Sequence, residues 1–399
     1  MNNVAINAVP KMIPSKLMNA EKISSLMPQI NTKNTISTEI APAIARNLTT
    51  QKITTIAPTL ITKNISVLPA EPAICQIPCP EKVSIIMPAF NAANTIGEAI
   101  SSILSGTHRN VEILVIDDGS RDETSKIVTA MAQAEPRIKY YKNEKNLGAY
   151  KSRNVMLKIA TGQFIAFLDS DDTWEPNKLE ECLKMLKQHP EVKAVGHALR
   201  YLDKRGNKVS YIPTYPTNQA ELQDVQENGA LPWVFPTALV VEREAILEIG
   251  GFLDDWKVGA DTELMARLAH KHGMLATKMP LGNYRVLGNS LTDKYWLRKR
   301  LAIDCVKENQ QRRIRGEAEL TLSEYQQIFF QNLSPWKKLN RFREILATRF
   351  MRKAGESWLN REILPTLFYG VATTALNPQA TLHKIQWMKY QKRLSKDFS

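Results

Sequence analysis

Residues 1–80 contain no glycine, no aspartate and no aromatic side chain. A segment without aromatics builds a core poorly, and its recurrent prolines interrupt helices, so this stretch is read as a disordered extension. The 399-residue chain has only four cysteines, at 75, 79, 182 and 305. They are too few and too scattered for a disulfide framework. No second Cys or His pair follows Cys75 and Cys79 at zinc spacing, and a reducing cytoplasm is the expected compartment. Uncharged apolar runs are short: Ile363–Leu376 is the nearest approach to a membrane span, and Pro365 and Gly370 interrupt it. It falls below the roughly 18 residues a span needs. The start of the chain also lacks the basic and then apolar stretch of a secretory signal.

Acidic charge is scarce at both ends. The formal net charge is +13, divided as +4 over residues 1–80, −3 over 81–293 and +12 over 294–399. The basic character therefore lies away from the acidic motifs of the middle, which argues against a nucleic-acid groove there.

From Val83 onward apolar runs alternate with helical patterns. Strands are expected at Val83–Met87, Val111–Ile116, Ile138–Lys142 and Phe164–Leu168. Helices are expected at Asn94–Leu104, Glu123–Ala134, Gly148–Ala160 and Pro176–Gln188. This alternation implies βαβ units and a mainly parallel sheet. Asp203–Asn207 reads as a hairpin turn, and from Lys294 the chain reads as basic helices broken at Pro335, Pro365 and Pro378.

The chemistry-bearing residues follow the strands. Phe164–Leu168 ends in Asp169-Ser170-Asp171-Asp172. Three carboxylates at a strand end cannot all stay buried and unpaired, so they face water or hold a hard cation. Pro88, Phe90 and Asn91 follow the first strand, where an aromatic and an amide can stack on and hydrogen-bond a base. Asp117-Asp118-Gly119-Ser120 follows the second. Asp261 and Glu263 open a helix, as a cap or as a general base, and Arg285 can neutralise a phosphate. Each motif alone also fits a capping turn, a packed aromatic or a surface arginine.

In their order and spacing, these motifs make residues 83–292 resemble the inverting nucleotide-sugar glycosyltransferases of family 2. The resemblance implies the GT-A fold over residues 81–293, with a basic helical C-terminal region at 294–399. By that resemblance, Phe90 sits beside the nucleotide base and Asp118 contacts it, with Asp117 adjacent. Asp169 and Asp171 form the Asp-x-Asp that meets the ribose and a Mn²⁺ or Mg²⁺ ion, and Asp261 deprotonates the acceptor hydroxyl. Gly250-Gly251-Phe252 matches the turn before the acceptor-side loop. Two positions depart from the pattern: Ala260 replaces a common Glu, and Leu287 replaces a His near the metal.

The implied donor is a UDP-sugar, with GDP- and dTDP-sugars as alternatives. The implied acceptor is a glycan or lipid-linked hydroxyl in polysaccharide, lipopolysaccharide or glycolipid synthesis. A polyprenyl-phosphate sugar synthase and an inactive GT-A scaffold remain alternative readings. The C-terminal helices interleave Arg298-Lys299-Arg300, Arg312-Arg313, Lys337-Lys338 and Arg352-Lys353 with Trp296, Trp336, Phe342 and Phe350. Such a pattern suits either an anionic membrane surface or an ordinary solvated face. Peripheral attachment at the cytoplasmic side is the matching expectation, and no nucleic acid is expected.

Overall fold

The computed structural model describes residues 81–203, 205–286, 295–379 and 381. The expected extension at 1–80 and the Leu287 departure lie outside them.

Four parallel strands form one half of a single sheet. They are β1 (Val83–Ala89), β2 (Val111–Asp117), β3 (Ile138–Lys142) and β4 (Phe164–Phe167), in the order β3-β2-β1-β4. Every residue of β1 and β2 is buried, which is why both read as mostly apolar runs: helices cover both faces. Ile85, Met87, Ile113 and Val115 pack on one face with Ile96, Ile100 and Ile103 of α1 (Ile96–Leu104) and Val128 of α2 (Thr124–Ala134). Ile86, Leu114, Ile116, Ile165 and Phe167 pack on the other with Met156 and Leu157 of α3 (Ala149–Ile159).

The second half of the sheet is mixed. β5 is Thr173–Trp174, α4 is Lys178–Gln188, and β6 (Ala194–Leu202) and β7 (Lys208–Ile212) form the expected hairpin. α5 is Gln219–Asn228, β8 is Val240–Glu242 and α6 is Arg243–Glu248. α7 (Ala260–His272) leads into β9 (Met274–Arg285). β8 pairs antiparallel with β4 and with β6, β9 runs parallel to β6, and β5 joins β9 antiparallel. The acidic stretch 169–172 is thus anchored on one side by β4 and on the other by β5.

The C-terminal helices are α8 (Trp296–Arg315), α9 (Leu322–Asn332), α10 (Pro335–Leu359) and α11 (Ile363–Leu376). Pro335 starts α10, as a proline can at a first turn. Pro365 does not break a helix as expected: it lies in the first turn of α11, where a missing N–H costs nothing. Ala302, Cys305 and Val306 of α8 belong to the same core cluster as Phe167 and Leu264.

Candidate active site

Parallel strands deliver their carboxyl ends to one edge of the sheet, where ligands of open α/β sheets bind. β1 ends at Ala89 beside Asp117 of β2. Phe90 follows and is 48% exposed, an unusual degree for an aromatic beside a core strand. Asn91 takes a left-handed backbone, φ 51°. Its side-chain oxygen accepts from Arg121 N at 2.9 Å, and its own N–H donates to Ser120 Oγ at 2.9 Å. The β1 and β2 turns are thereby locked together. They border an open pocket of about 520 Å³ lined by Phe90, Asn91, Gly119, Arg121, Lys145 and Asn146.

The two acids after β2 are buried and hydrogen-bonded. Asp117 accepts from Ser120 N at 2.8 Å and from Tyr140 OH at 3.0 Å. Asp118 accepts from Asn143 Nδ2, Leu147 N and Gly148 N, each at 2.8 Å. Asp118, expected at the base, therefore spends most of its acceptor capacity on the loop 143–148 that forms the pocket wall.

After β4, Asp169 pairs with Arg153. The guanidinium is buried over the rings of Tyr150, Phe167 and Phe252, with its carbon 5.5–5.9 Å from each centroid. Asp171 is driven up to about 6, first by burial and then by the Asp169 charge. Asp172 is raised well above its usual range, by burial and then by Asp171 and Asp169. Its Oδ1 accepts from Arg285 N at 2.9 Å, and its Oδ2 is buried without a hydrogen bond.

Arg285 stands beside the acidic turn. Its Nε donates to the Asp171 carbonyl at 3.0 Å and its Nη2 meets Glu98 at 2.7 Å, so it braces the acidic turn from behind.

Asp261 stands in the first turn of α7, just after Gly259, whose φ of 82° caps the helix. Burial first, and then the nearby charges of Asp261 and Asp169, hold the Tyr150 hydroxyl well above its usual pKa. Glu263 is fully buried and is held by Arg267 at 2.5 Å and Arg313 at 3.4 Å. Arg267 also donates to the carbonyls of Ile249 and Gly251, and Asn154 of α3 bonds Phe252 N and O at 2.9 and 2.7 Å. These contacts fix the Gly250–Phe252 turn against α3 and α7.

The crowding of Asp169, Asp171 and Asp172, with Asp171 and Asp172 raised in proton affinity, suits a hard divalent cation, whose charge would relieve the repulsion. Asp169 and Asp171 would hold it. Among the described residues no group of three or more Asp, Glu, His or Cys side chains is placed to cage a metal. That donor set matches a cation that completes its coordination with water and substrate phosphate.

Arg153 was not singled out from the sequence. The available signal was position: it shares the buried face of α3 with Ser152, Met156 and Leu157, where an arginine needs an anionic partner.

Residues 84–250 match the family model for glycosyl transferase family 2. That segment is a glycosyltransferase family 2 domain.

The family 2 domain is 30% identical over 206 residues to an uncharacterised glycosyltransferase of Nostoc sp., covering 50% of this chain and 63% of that protein. It is 51% identical over 98 residues to the Escherichia coli UDP-Glc:α-D-GlcNAc-diphosphoundecaprenol β-1,3-glucosyltransferase WfgD, covering 25% of this chain and 38% of that one. It is 46% identical over 100 residues to an uncharacterised glycosyltransferase of Rickettsia conorii, covering 25% of this chain and 16% of that one. The chain thus spans less than two thirds of each of these relatives. Among solved structures, Staphylococcus aureus TarS with UDP aligns over 74% of this chain and 91% of that one, at TM-score 0.47 and 17% identity. The Pyrobaculum calidifontis mannosyltransferase PcManGT with GDP-Man and Mn²⁺ aligns over 80% and 83%, at TM-score 0.45 and 18% identity.

Proposed function

We propose that the chain is an inverting glycosyltransferase that moves a sugar from a nucleoside-diphosphate donor to an acceptor hydroxyl. The observation that carries the reading is that β2 and β4 flank β1 in parallel, which brings Asp169 and Asp171 to the same sheet edge as Phe90 and its open pocket.

In this reading Phe90 offers its exposed face to the base, and Asn91 and Asp118 shape the turn and wall around it. Asp169 and Asp171 orient the diphosphate end and would hold a Mn²⁺ or Mg²⁺ ion. When bound, such an ion supplies Lewis-acid stabilisation of the departing diphosphate. Asp261 takes the proton of the acceptor hydroxyl as its oxygen attacks the anomeric carbon from the face opposite the leaving group. The transition state is oxocarbenium-like, by analogy with glycoside hydrolysis. Arg153 holds Asp169 in place, and Arg285 with Glu98 braces the turn.

The activity of the E. coli relative supports a UDP-sugar donor and a lipid-linked acceptor. The test is binding and hydrolysis of a panel of nucleotide sugars with Mn²⁺, Mg²⁺ or EDTA. Metal-dependent selection of one donor is expected. Failure of every donor to bind with either metal would move the chain to the inactive-scaffold reading.

A further inference from the structure

Helix α11 faces the wrong way for a helix of a water-soluble surface. Its inner side carries Thr366, Tyr369, Thr373 and Leu376, all partly or fully buried. Thr373 is buried against the protein and Tyr369 stacks on Phe350 of α10, with centroids 6.0 Å apart. The outer side carries Ile363, Leu364, Leu367, Phe368 and Val371, exposed by 70, 80, 60, 66 and 71%. At 100° per residue these five occupy one face. Trp358, at the end of α10, is a further 62% exposed. Scattered apolar side chains on a surface need no explanation, but a contiguous face of this kind does.

α11 contains no charged residue, and the region around it is strongly basic. Lys337, Arg343 and Arg361 are exposed and have no ion pair with any described residue. In sequence, Lys384, Lys389, Lys392, Arg393 and Lys396 follow, against a single acid, Asp397. Residues 294–399 carry +12. A second copy seated on this face would bring two such regions together, whereas anionic headgroups complement them. The helix has 14 residues. At about 1.5 Å rise each, it is shorter than the roughly 30 Å hydrocarbon core. No helix of the described residues is long and apolar enough to cross a membrane.

We infer that the outer face of α11 is a docking surface for an anionic lipid bilayer. The helix lies in the plane of the interface, with Leu364, Leu367 and Phe368 inserted among the acyl chains and the basic residues on the headgroups. The inference stands apart from the transferase reading, because it uses no residue of the nucleotide pocket. It also relocates the anchors expected from the sequence: Phe350 is spent on the α10–α11 contact, while the α11 side chains point outward.

The test is flotation of the full chain with vesicles of phosphatidylcholine alone or mixed with phosphatidylglycerol, at low and molar salt. The wild-type chain should float with the anionic vesicles only, and less at molar salt. A Leu364→Ser/Leu367→Ser/Phe368→Ser variant should lose at least about 100-fold in partitioning, with its melting temperature and donor hydrolysis unchanged. A Lys337→Gln/Arg343→Gln/Arg361→Gln variant should lose roughly tenfold, at low salt alone. Wild-type chain that stays unbound with anionic vesicles overturns the inference, and so does a triple-serine variant that floats like wild type. A dimer in light scattering that the serine substitutions dissolve overturns it in favour of a second copy.

Discussion

At the scale of single residues, the sharpest expectation concerns Asp261. A general base typically contributes about 10²–10⁴-fold. Asp261→Asn should therefore lower turnover by that range while donor affinity in calorimetry stays within a few-fold. Near-normal turnover would remove Asp261 from the role of base. Lys178 permits a different test, of stability. Its Nζ lies buried 3.2 Å from the centre of the Trp174 ring and lacks a hydrogen bond. Burial lowers its pKa from 10.5 to about 7. The folded chain thus prefers the neutral amine, so the cost of burying the cation is full below pH 7 and fades as pH rises toward 10.5. Lys178→Met should raise the melting temperature at pH 7, and the gain should shrink steadily in scans at higher pH. A gain independent of pH would assign the effect to packing.

At the scale of elements, Glu112 joins the amino-terminal ends of the parallel strands, far from the acidic edge. It accepts from Ser84 Oγ at 2.5 Å on β1, from Lys139 Nζ at 2.7 Å on β3, and from Thr161 N at 2.7 Å ahead of β4. Burial alone would raise its pKa, but these donors outweigh it and hold the carboxyl far below 4.5. Its stabilisation is therefore present above pH 4.5 and drains away as the pH falls below that value. Glu112→Gln should cost roughly 1–3 kcal/mol in urea unfolding at pH 7 and much less in strong acid. An equal loss at both pH values would contradict the charged network. Gly251 sets the turn between α6 and α7, with φ of 67°. An added Cβ would meet Asn154 Oδ1 at 2.7 Å. Gly251→Ala should destabilise by about 1–3 kcal/mol, read by the same unfolding curves.

The elements also show what a sequence can and cannot convey. β1, β2 and β4 were legible because burial on both faces leaves a mostly apolar run. β5 was not, because Thr173 and Trp174 become a strand only by pairing with Asn283 and Gly282. β9 includes Lys278, Met279 and Pro280 and is buried only near its ends, so no period announces it. The acid motifs were legible from their strand-end positions. Arg153 was hidden because Asp169 and Phe167 at the end of β4, and Phe252 beyond α6, lie far from it in the chain. The α11 period was readable, but its buried threonine side reverses the usual rule that the polar face looks outward.

At the scale of the whole molecule, the segment boundary read at residue 293 falls just before α8, whose Ala302, Cys305 and Val306 pack into the central core. Gln310 Nε2 bonds the Val225 carbonyl of α5 at 2.7 Å, and Arg313 reaches Glu263. We propose that the folded catalytic unit extends through α8 and α9. A chain ending at residue 293 should lose its cooperative thermal transition, while one ending at residue 333 should keep it, as calorimetry would show.

The anchoring of the acidic stretch between β4 and β5 has a bearing on how such a gene can diverge. Everything proposed to grip the donor, from Phe90 to Asp171, is encoded without interruption ahead of β5. Asp261 arrives only after the β6–β7 hairpin. A crossover in the codons for that hairpin would exchange acceptor preference and keep the inherited donor preference. The joined halves would have to agree along β4 with β8, β5 with β9, and β6 with β7, β8 and β9. Under the proposed roles, the acceptor half can thus change while the donor half is kept.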